Sequence, residues 1–387
     1  MKQNILIALL KAGKSVMAVL LLALLCGCEG LRIDRSIKMG PSDWVTLGGQ
    51  TTRKNEAASS VQPPLHEIWQ YDAGGGITAS PLVQDSILVI CTLKGELHAV
   101  DLRTGKRIGY VTLDGAAAGT PVWIGTDVYV PISYQDETIE SVSINDGARN
   151  WRAKFGQSES SPLFFEKRLY VTSLNGTLYC LNAFNGDQVW KFQPAKEDVR
   201  EPVRSSPATD GNVVVFGCDD GGVYAVHRAT GEEIWKFKAS QSIFASPIIV
   251  KGCVVVGSLD GKLYCLDVQS GTMVWSFDTK SRVFGSASTN DSLVFVGTAD
   301  GHCYALRVED GSPVWKFEAK SVINSAPLVT RDFVYVGSLD KNLYALDIQS
   351  GKEIWHYEAP GRIKVSPVIW NGTLLVTSED NYVTALR

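Results

Sequence analysis

Short apolar runs separated by polar, glycine-containing turns fill the chain from residue 65 to its end. In the stretch that begins at Phe244, the runs ASPIIV, VVVGS, KLYCLDV and MVWSF are separated by turns such as Asp260-Gly261. Runs of this length that are rich in β-branched and aromatic residues indicate strands, and Asp-Gly favours a tight hairpin. The second and third runs are almost wholly apolar, which requires cover on both faces of the sheet. The pattern therefore predicts a four-stranded antiparallel unit packed between neighbours.

This unit recurs eight times with a period of 40 to 45 residues. The anchor position in the first strand of each unit is occupied by Pro81, Pro121, Pro162, Pro207, Pro247, Ala287, Pro327 and Pro367. The aromatic position that closes each unit is occupied by Trp69, Trp151, Trp190, Trp235, Trp275, Trp315 and Trp355, with Gly109 at the eighth place. A radial ring covers both faces of every sheet and protects the sheet edges. We therefore predict an all-β fold, an eight-bladed β-propeller of four-stranded antiparallel blades over residues 65–387.

The two ends of the repeated region complement each other. The last unit stops at Arg387, at the end of its third strand, while Glu67–Tyr71 looks like a fourth strand that lacks the first three. An open solenoid would instead need polar capping repeats at its ends. We predict that the N-terminal strand pairs with the last blade and closes the ring.

The N-terminus has the features of a targeting segment. Basic residues precede an apolar run over residues 16–25, which is too short to span a bilayer but suits a signal peptide. The following Leu25-Cys26-Gly27-Cys28 resembles the lipobox of bacterial lipoproteins. That resemblance implies a signal peptide over residues 1–27, lipid attachment at Cys28 and, with Glu29 next to it, the periplasmic face of the outer membrane. The alternative is an ordinary secreted protein.

The repeats resemble the tryptophan-docking motif of the pyrroloquinoline-quinone-like propellers. Leu343–Asp347 followed by Ser350–Trp355 carries this likeness, as does Trp44–Gly49 with Arg53 ahead of the ring. The layout resembles most closely the family's lipid-anchored members that assist outer-membrane protein assembly. The resemblance implies a tether over residues 28–64, docked from Trp44 onward and free over residues 29–43, so that the propeller can reorient above the membrane. It also implies a monomeric, non-catalytic scaffold that binds an envelope partner, with the barrel-assembly machinery as the favoured one.

Charge and candidate chemistry narrow the function further. The net charge of −4 offers no basic face for nucleic acid. The five histidines occupy different repeat positions, and no HExxH, CxxC or nucleophile-elbow motif is present. We therefore expect no catalytic residues, metal or cofactor. The serines that precede many anchors resemble a row of nucleophiles, but small side chains are also what a crowded axis requires. The alternative function is a propeller that binds a small ligand or a quinone cofactor, as an oxidoreductase relative.

The six cysteines after Cys28 stand where sister repeats have small or apolar residues, so we predict no structural disulfide. Cys180 and Cys265 share a repeat position but lie two blades apart, and residues in non-adjacent blades are too far from each other for a bridge.

One variable position suggests a binding face. Three residues before each anchor the repeats carry Thr78, Ala118, Glu159, Arg204, Phe244, Phe284, Asn324 and Lys364. Variation on a constant scaffold is typical of a contact surface at one mouth of the channel, with two exposed phenylalanines. The alternative is drift at strand ends.

One loop exceeds the usual period, between Trp190 and Pro207. It contains Arg200 and Arg204, which we propose as partner-binding residues; the alternative is a solvated insertion. We expect residues around Asp260–Lys262 to lie on the opposite face.

Overall fold

The computed structural model describes residues 30–134, 136–194 and 201–387. Within these ranges the secondary-structure elements are 32 β-strands. The same ranges contain no helix that is long and apolar enough to cross a membrane. The signal peptide, Cys28 and Arg200 lie outside the described residues.

Eight sheets, each of four antiparallel strands, form the blades of a propeller. This confirms the predicted fold class. The first four blades consist of β2 (Leu82–Gln84), β3 (Ile87–Cys91), β4 (Glu96–Asp101) and β5 (Lys106–Thr112); β6 (Val122–Ile124), β7 (Asp127–Tyr134), β8 (Glu137–Ser143) and β9 (Arg149–Ala153); β10 (Leu163–Phe165), β11 (Arg168–Ser173), β12 (Thr177–Asn182) and β13 (Gln188–Phe192); and β14 (Ala208–Thr209), β15 (Val213–Gly217), β16 (Gly222–His227) and β17 (Glu233–Lys238). The last four consist of β18 (Ile248–Val250), β19 (Cys253–Gly257), β20 (Lys262–Asp267) and β21 (Met273–Asp278); β22 (Ser288–Thr289), β23 (Leu293–Gly297), β24 (His302–Arg307) and β25 (Pro313–Glu318); β26 (Leu328–Val329), β27 (Phe333–Gly337), β28 (Asn342–Asp347) and β29 (Glu353–Glu358); and β30 (Val368–Trp370), β31 (Thr373–Thr377) and β32 (Tyr382–Leu386) with β1 (Glu67–Asp72).

Both chain ends close the eighth blade, as predicted. Strand β1 pairs antiparallel with β32, and Tyr71 lies opposite Val383. The backbones of His66 and Arg387 exchange two further hydrogen bonds, of 2.8 and 2.9 Å.

Aspartates stabilise several hairpin turns between second and third strands. Asp260 accepts hydrogen bonds from the Lys262 amide (3.1 Å) and the Tyr264 hydroxyl (2.7 Å), while Gly261 adopts a φ of +82°. Burial alone would raise the pKa of Asp260, but its hydrogen bonds, from Tyr264 and Ser240 among others, outweigh that effect and lower it. The carboxylate therefore stays charged as the turn folds.

Tryptophans join the outer edge of one blade to the next. The indole Nε1 donates to a backbone carbonyl of the following blade at 2.8–3.2 Å in six cases: Trp69 to Leu102, Trp151 to Ala183, Trp190 to Arg228, Trp235 to Val268, Trp275 to Val308 and Trp315 to Ile348. Each ring also lies against a glycine of that blade; a Cβ on Gly271 would come within 2.6 Å of the Trp235 ring. Blade 1, with Gly109 at this position, must be joined differently.

The residues that precede the anchors link neighbouring blades around the axis. Backbone amides donate to hydroxyls of the next blade at 2.9–3.1 Å, from Ser80 to Thr120, Thr120 to Ser161, Ser161 to Ser206, Ser206 to Ser246 and Ser246 to Ser286. We call this chain of bonds the hydroxyl belt. These side chains serve as small structural acceptors in a crowded space, so the row has a structural explanation.

Residues 44–57 cross one mouth of the channel and form what we call the plug. Its backbone bonds to blade 1 at Val83, to blade 4 at Thr209 and to blade 7 at Val329. From its centre, the Arg53 guanidinium reaches the carbonyl of Pro207 (2.6 Å), and the Asn55 amide reaches that of Pro327 (2.6 Å). The channel is therefore closed at this end.

The segment before the plug is also packed on the propeller. Leu31 is 3% exposed and Ile33 8% exposed, and both belong to the core shared by blades 1 and 2. The expectation of a free tether over residues 29–43 is therefore wrong for its described part, residues 30–43. The reason is that blade 1 leaves a gap which this segment fills.

Candidate interaction surface at the open channel mouth

The eight variable residues come together at the mouth opposite the plug, and we call them the open-mouth ring. Seven of them line a cavity of about 220 Å³ whose deep end is formed by Arg53 and Asn55. The eighth, Arg204, contacts the ring member Glu159 at its edge. The cavity is therefore blind, with the open-mouth ring as its entrance.

Arg204 is the most connected residue of the open-mouth ring. Its guanidinium forms an ion pair with the buried carboxylate of Asp219, and its Nε lies 3.5 Å from Glu159 Oε2. The guanidinium carbon also lies 5.4 Å from the centre of the Phe244 ring. These contacts hold a cation at a fixed place beside an aromatic ring.

The two phenylalanines form the apolar part of the mouth. The Phe244 and Phe284 ring centres are 6.4 Å apart with planes inclined by 41°. Both side chains are half-buried, because each packs on the other. They are therefore less exposed than predicted. Their remaining accessible edges face the entrance of the cavity.

A second ion pair and an unpaired amide oxygen complete the surface. Lys364 Nζ lies 2.6 Å from Glu379 Oε1, and both side chains are about one-third exposed. The buried Oδ1 of Asn324 has no hydrogen-bond partner among the described residues. The mouth thus combines aromatic rings, fixed charges and an acceptor that a ligand or partner could satisfy.

Sequence reasoning missed Asp219 and Glu379, although a repeat signal marks both. Each lies 15 residues after its basic partner. At the same place the other six repeats have Leu93, Ser133, Leu174, Leu259, Ala299 and Leu339. An acidic residue therefore appears there only in the two repeats whose member of the open-mouth ring is basic.

The expectation that Asp260–Lys262 lies on the opposite face is wrong. Ser240, in the link that leads to Phe244, donates through its amide and hydroxyl to Asp260 at 3.1 and 2.9 Å. Strand direction alternates, so the turn after the second strand returns to the face where the first strand began. Turns between first and second strands lie instead at the plugged mouth, since Ile249 bonds to Thr52 of the plug.

The channel residues do not fit a calcium-held quinone. Calcium needs six or more oxygen ligands that converge, and residues 30–134, 136–194 and 201–387 contain no group of three His, Cys, Asp or Glu side chains that could hold a metal. Of the residues that line the cavity, Glu159 alone has a carboxylate, and it already faces Arg204. The side chains that line this cavity therefore do not match the carboxylate-rich ligand set of a calcium-held quinone.

Comparisons with known proteins agree with the eight-bladed fold. The family model described as outer membrane protein assembly factor BamB matches residues 58–156, 135–245, 219–325 and 320–387. The outer membrane protein assembly factor BamB of Marinobacter adhaerens is 26% identical over 144 residues, 36% of this chain; the match spans about a third (35%) of that protein's length.

Solved structures of other proteins share the fold. The crystal structure of BamB from Moraxella catarrhalis has a TM-score of 0.72 at 17% identity and covers 84% of this chain and 99% of that one. Quinohemoprotein alcohol dehydrogenase from Comamonas testosteroni has a TM-score of 0.76 at 12% identity and covers 89% of this chain and 80% of that one. At these identities the likeness concerns the propeller alone.

Proposed function

This chain belongs to the family of the outer membrane protein assembly factor BamB, and we propose that it is a non-catalytic scaffold that supports the assembly of outer-membrane β-barrel proteins. In this proposal Cys28 carries the lipid anchor, and the propeller faces the periplasm. Its partner is a component of the barrel-assembly machinery.

The open-mouth ring is the observation that carries the proposal. Interface energy concentrates on aromatic and arginine side chains held in well-packed surroundings. Arg204 is held there by Asp219 and Phe244, and Phe284 packs beside them. With the other mouth plugged, the open mouth is the place where such residues meet a concave surface. Arg200, Glu159, Asn324 and Lys364 remain candidate contacts of the same partner.

Capture of the barrel-assembly machinery from detergent-solubilised envelopes tests the proposal. The bait is the full-length, natively processed protein. Wild type and the control Arg331→Ala, on an exposed turn at the plugged mouth, should capture the central barrel-assembly protein equally. Phe284→Ala should capture less of it. A deletion strain should contain less outer-membrane porin, and normal porin levels would count against the assembly role.

A second candidate function is small-ligand binding in the blind cavity. The observation that favours it is Arg53, which is fully buried at the deep end; burial lowers its pKa to about 9. Its guanidinium bonds to backbone carbonyls rather than to a carboxylate. A small organic anion would supply the missing charge. Raised melting temperatures with such anions, lost in Arg53→Gln, would support this function, and unchanged temperatures across a panel of mono- and dicarboxylates would exclude it.

A further inference from the structure

The segment that follows Cys28 occupies the place of the missing docking tryptophan in blade 1. Gly109 stands where sister blades have tryptophan, and a Cβ there would lie 2.7 Å from the Leu31 backbone. In the next blade, Gly147 is the counterpart of the glycines that face a docked indole, and the nearest atom to its Cβ position is the Leu31 side chain, at 3.4 Å. Leu31 therefore fills the gap between blades 1 and 2 in place of an indole.

The same segment also replaces the indole's hydrogen bond. The Ile33 amide donates to the Asn145 carbonyl at 2.7 Å, one residue beyond the carbonyl position that accepts from tryptophan elsewhere in the ring. The Leu31 amide donates to Tyr110 of β5 at 3.1 Å. Arg35 then forms an ion pair with Asp85 at 2.6 Å. The chain is thus attached at successive points on its way to the plug and has little slack.

This attachment limits how far the lipid can be from the propeller. Leu31 lies three positions after Cys28, and an extended chain spans at most about 3.6 Å per residue, or roughly 11 Å here. Acyl chains on Cys28 would therefore hold the outer edge of blades 1 and 2 close to the lipid headgroups. A freely rotating propeller would need a much longer tether.

The charges on this edge also favour contact with lipid headgroups. Of the eight outer strands, only β5 and β9 carry two basic residues and no acidic one: Lys106 and Arg107 in β5, Arg149 and Arg152 in β9. All four residues are exposed. Arg149 and Arg152 also pair with Asp114, and Arg149 with Glu140, so part of this charge is balanced locally. Basic side chains close to a membrane are attracted to anionic headgroups.

We propose that the outer edge formed by β5 and β9 lies against an anionic phospholipid surface, so that the rim of the propeller, and neither mouth, faces the membrane. This inference rests on the lipid attachment at Cys28 in the proposed function. Leu31 and Ile33 set the orientation, and the basic residues of β5 and β9 strengthen it. The open mouth then faces along the membrane, where the periplasmic part of a membrane-embedded partner would stand.

Depth-dependent quenching on vesicles tests this orientation. Full-length, natively lipidated protein is incorporated into phosphatidylethanolamine–phosphatidylglycerol vesicles that contain a headgroup-linked quencher. A fluorophore is attached to Ile108→Cys on β5 or, as the matched control, to Val274→Cys on β21, across the ring; both positions are exposed. Labelling of the protein without either substitution corrects for its own cysteines. We expect stronger quenching at position 108 than at 274.

Two further variants separate the causes. Leu31→Ser with Ile33→Ser should release the segment and abolish the difference between the labels while the protein stays on the vesicles. Lys106→Glu with Arg107→Glu should reduce quenching at 108 on these vesicles but not on phosphatidylcholine alone. Equal quenching at both positions on vesicle-bound protein would overturn the orientation and leave the scaffold function standing. Protein that does not float with vesicles would overturn the lipid anchor and this inference together.

Discussion

Arg204 forms an ion pair with Asp219, which lies 15 residues further along the same repeat. Lys364 and Glu379 repeat the relationship at the same spacing four blades away. Both pairs place a cation at the open mouth and fix it with an acid from the adjacent turn. The charges presented to a partner are therefore ordered before binding, which lowers the entropy cost of forming an interface.

Removing Arg204 should weaken partner capture and also the fold. Arg204→Ala deletes a contact to Glu159 and Phe244, and it leaves the buried Asp219 carboxylate without its cation. We expect a loss of about 1–4 kcal/mol in binding together with a lower melting temperature. Phe284→Ala separates the two effects because it leaves the ion pair intact. Partner capture and melting temperature, measured on both variants, distinguish a loss of binding from a loss of stability. Unchanged capture in both would contradict a binding role for the open-mouth ring.

The joint between blades 1 and 2 should show strong coupling between Leu31 and Gly109. Leu31→Ala should lower the free energy of unfolding by about 2–5 kcal/mol, as for other buried leucines. Gly109→Trp should destabilise the wild type, because its side chain would collide with the Leu31 backbone. In the Leu31→Ala background the segment has lost the side chain that anchors it and can move aside, so the same tryptophan should dock and restore stability. Denaturant unfolding of the four proteins measures the coupling, and additive effects would contradict replacement of one group by the other.

The loss or gain of a single hydroxyl in the hydroxyl belt should change the free energy of unfolding. Ser246→Ala removes the acceptor of the buried Ser206 amide, which should cost about 1–3 kcal/mol of unfolding free energy. Ala326 stands at the belt position of blade 7, so Ala326→Ser offers the Ser286 amide an acceptor and should add up to about 1 kcal/mol. Urea titration of both variants tests this. Equal stability of Ser246→Ala and wild type would show that the belt bonds contribute nothing net.

His98 should make the closure of the ring dependent on pH. It bonds to Tyr71 of β1 at 2.7 Å and to Glu96 at 3.2 Å, lies against Tyr110, and has Arg107 nearby. Burial lowers the pKa of His98, although the bond to Glu96 opposes the shift. A histidine whose pKa is lower in the folded state stabilises the fold fully above its unfolded pKa of about 6.5. That stability is lost as the pH falls towards the folded pKa.

His98→Gln keeps a neutral hydrogen-bonding group that does not titrate in this range. Unfolding free energies at pH 7.5, 6.5 and 5.5 should therefore fall more steeply for wild type than for this variant. Parallel pH profiles would show that His98 does not titrate against the fold.

Much of the architecture could be predicted because the same sequence signals recur in each repeat. Proline anchors, closing tryptophans and hairpin dipeptides gave the eight blades, and the shortened last unit indicated how they close. The variable position before each anchor identified the residues of the open mouth, since a fixed spacing in every blade places them at one level. Asp219 and Glu379 could have been found by the same comparison.

Other features depend on contacts that no local pattern reveals. Gly109 marks a gap in the sequence, but nothing near it indicates that Leu31, 78 residues earlier, fills it. The resemblance implied that the segment from Trp44 onward docks, but not that its backbone and its Arg53 and Asn55 side chains bond to several blades across one mouth. The prediction for Asp260–Lys262 was wrong because strand direction alternates within a blade. The mouth at which a turn lies follows only when the direction of every preceding strand in the blade is taken into account.

The plug also bears on how the ring opens. The hydroxyl belt has alanine at residue 326, and there the Asn55 amide bonds to the carbonyls of both Ala326 and Pro327. The adjacent Lys54 accepts a hydrogen bond from the Thr289 amide of blade 6, so the plug bridges the two blades at the position that has no belt hydroxyl. Local opening of a protein begins where few bonds must break. Slow exchange of amide hydrogens between blades 6 and 7 would then depend on the plug staying in place, so loss of the N-terminal segment should speed exchange at this seam.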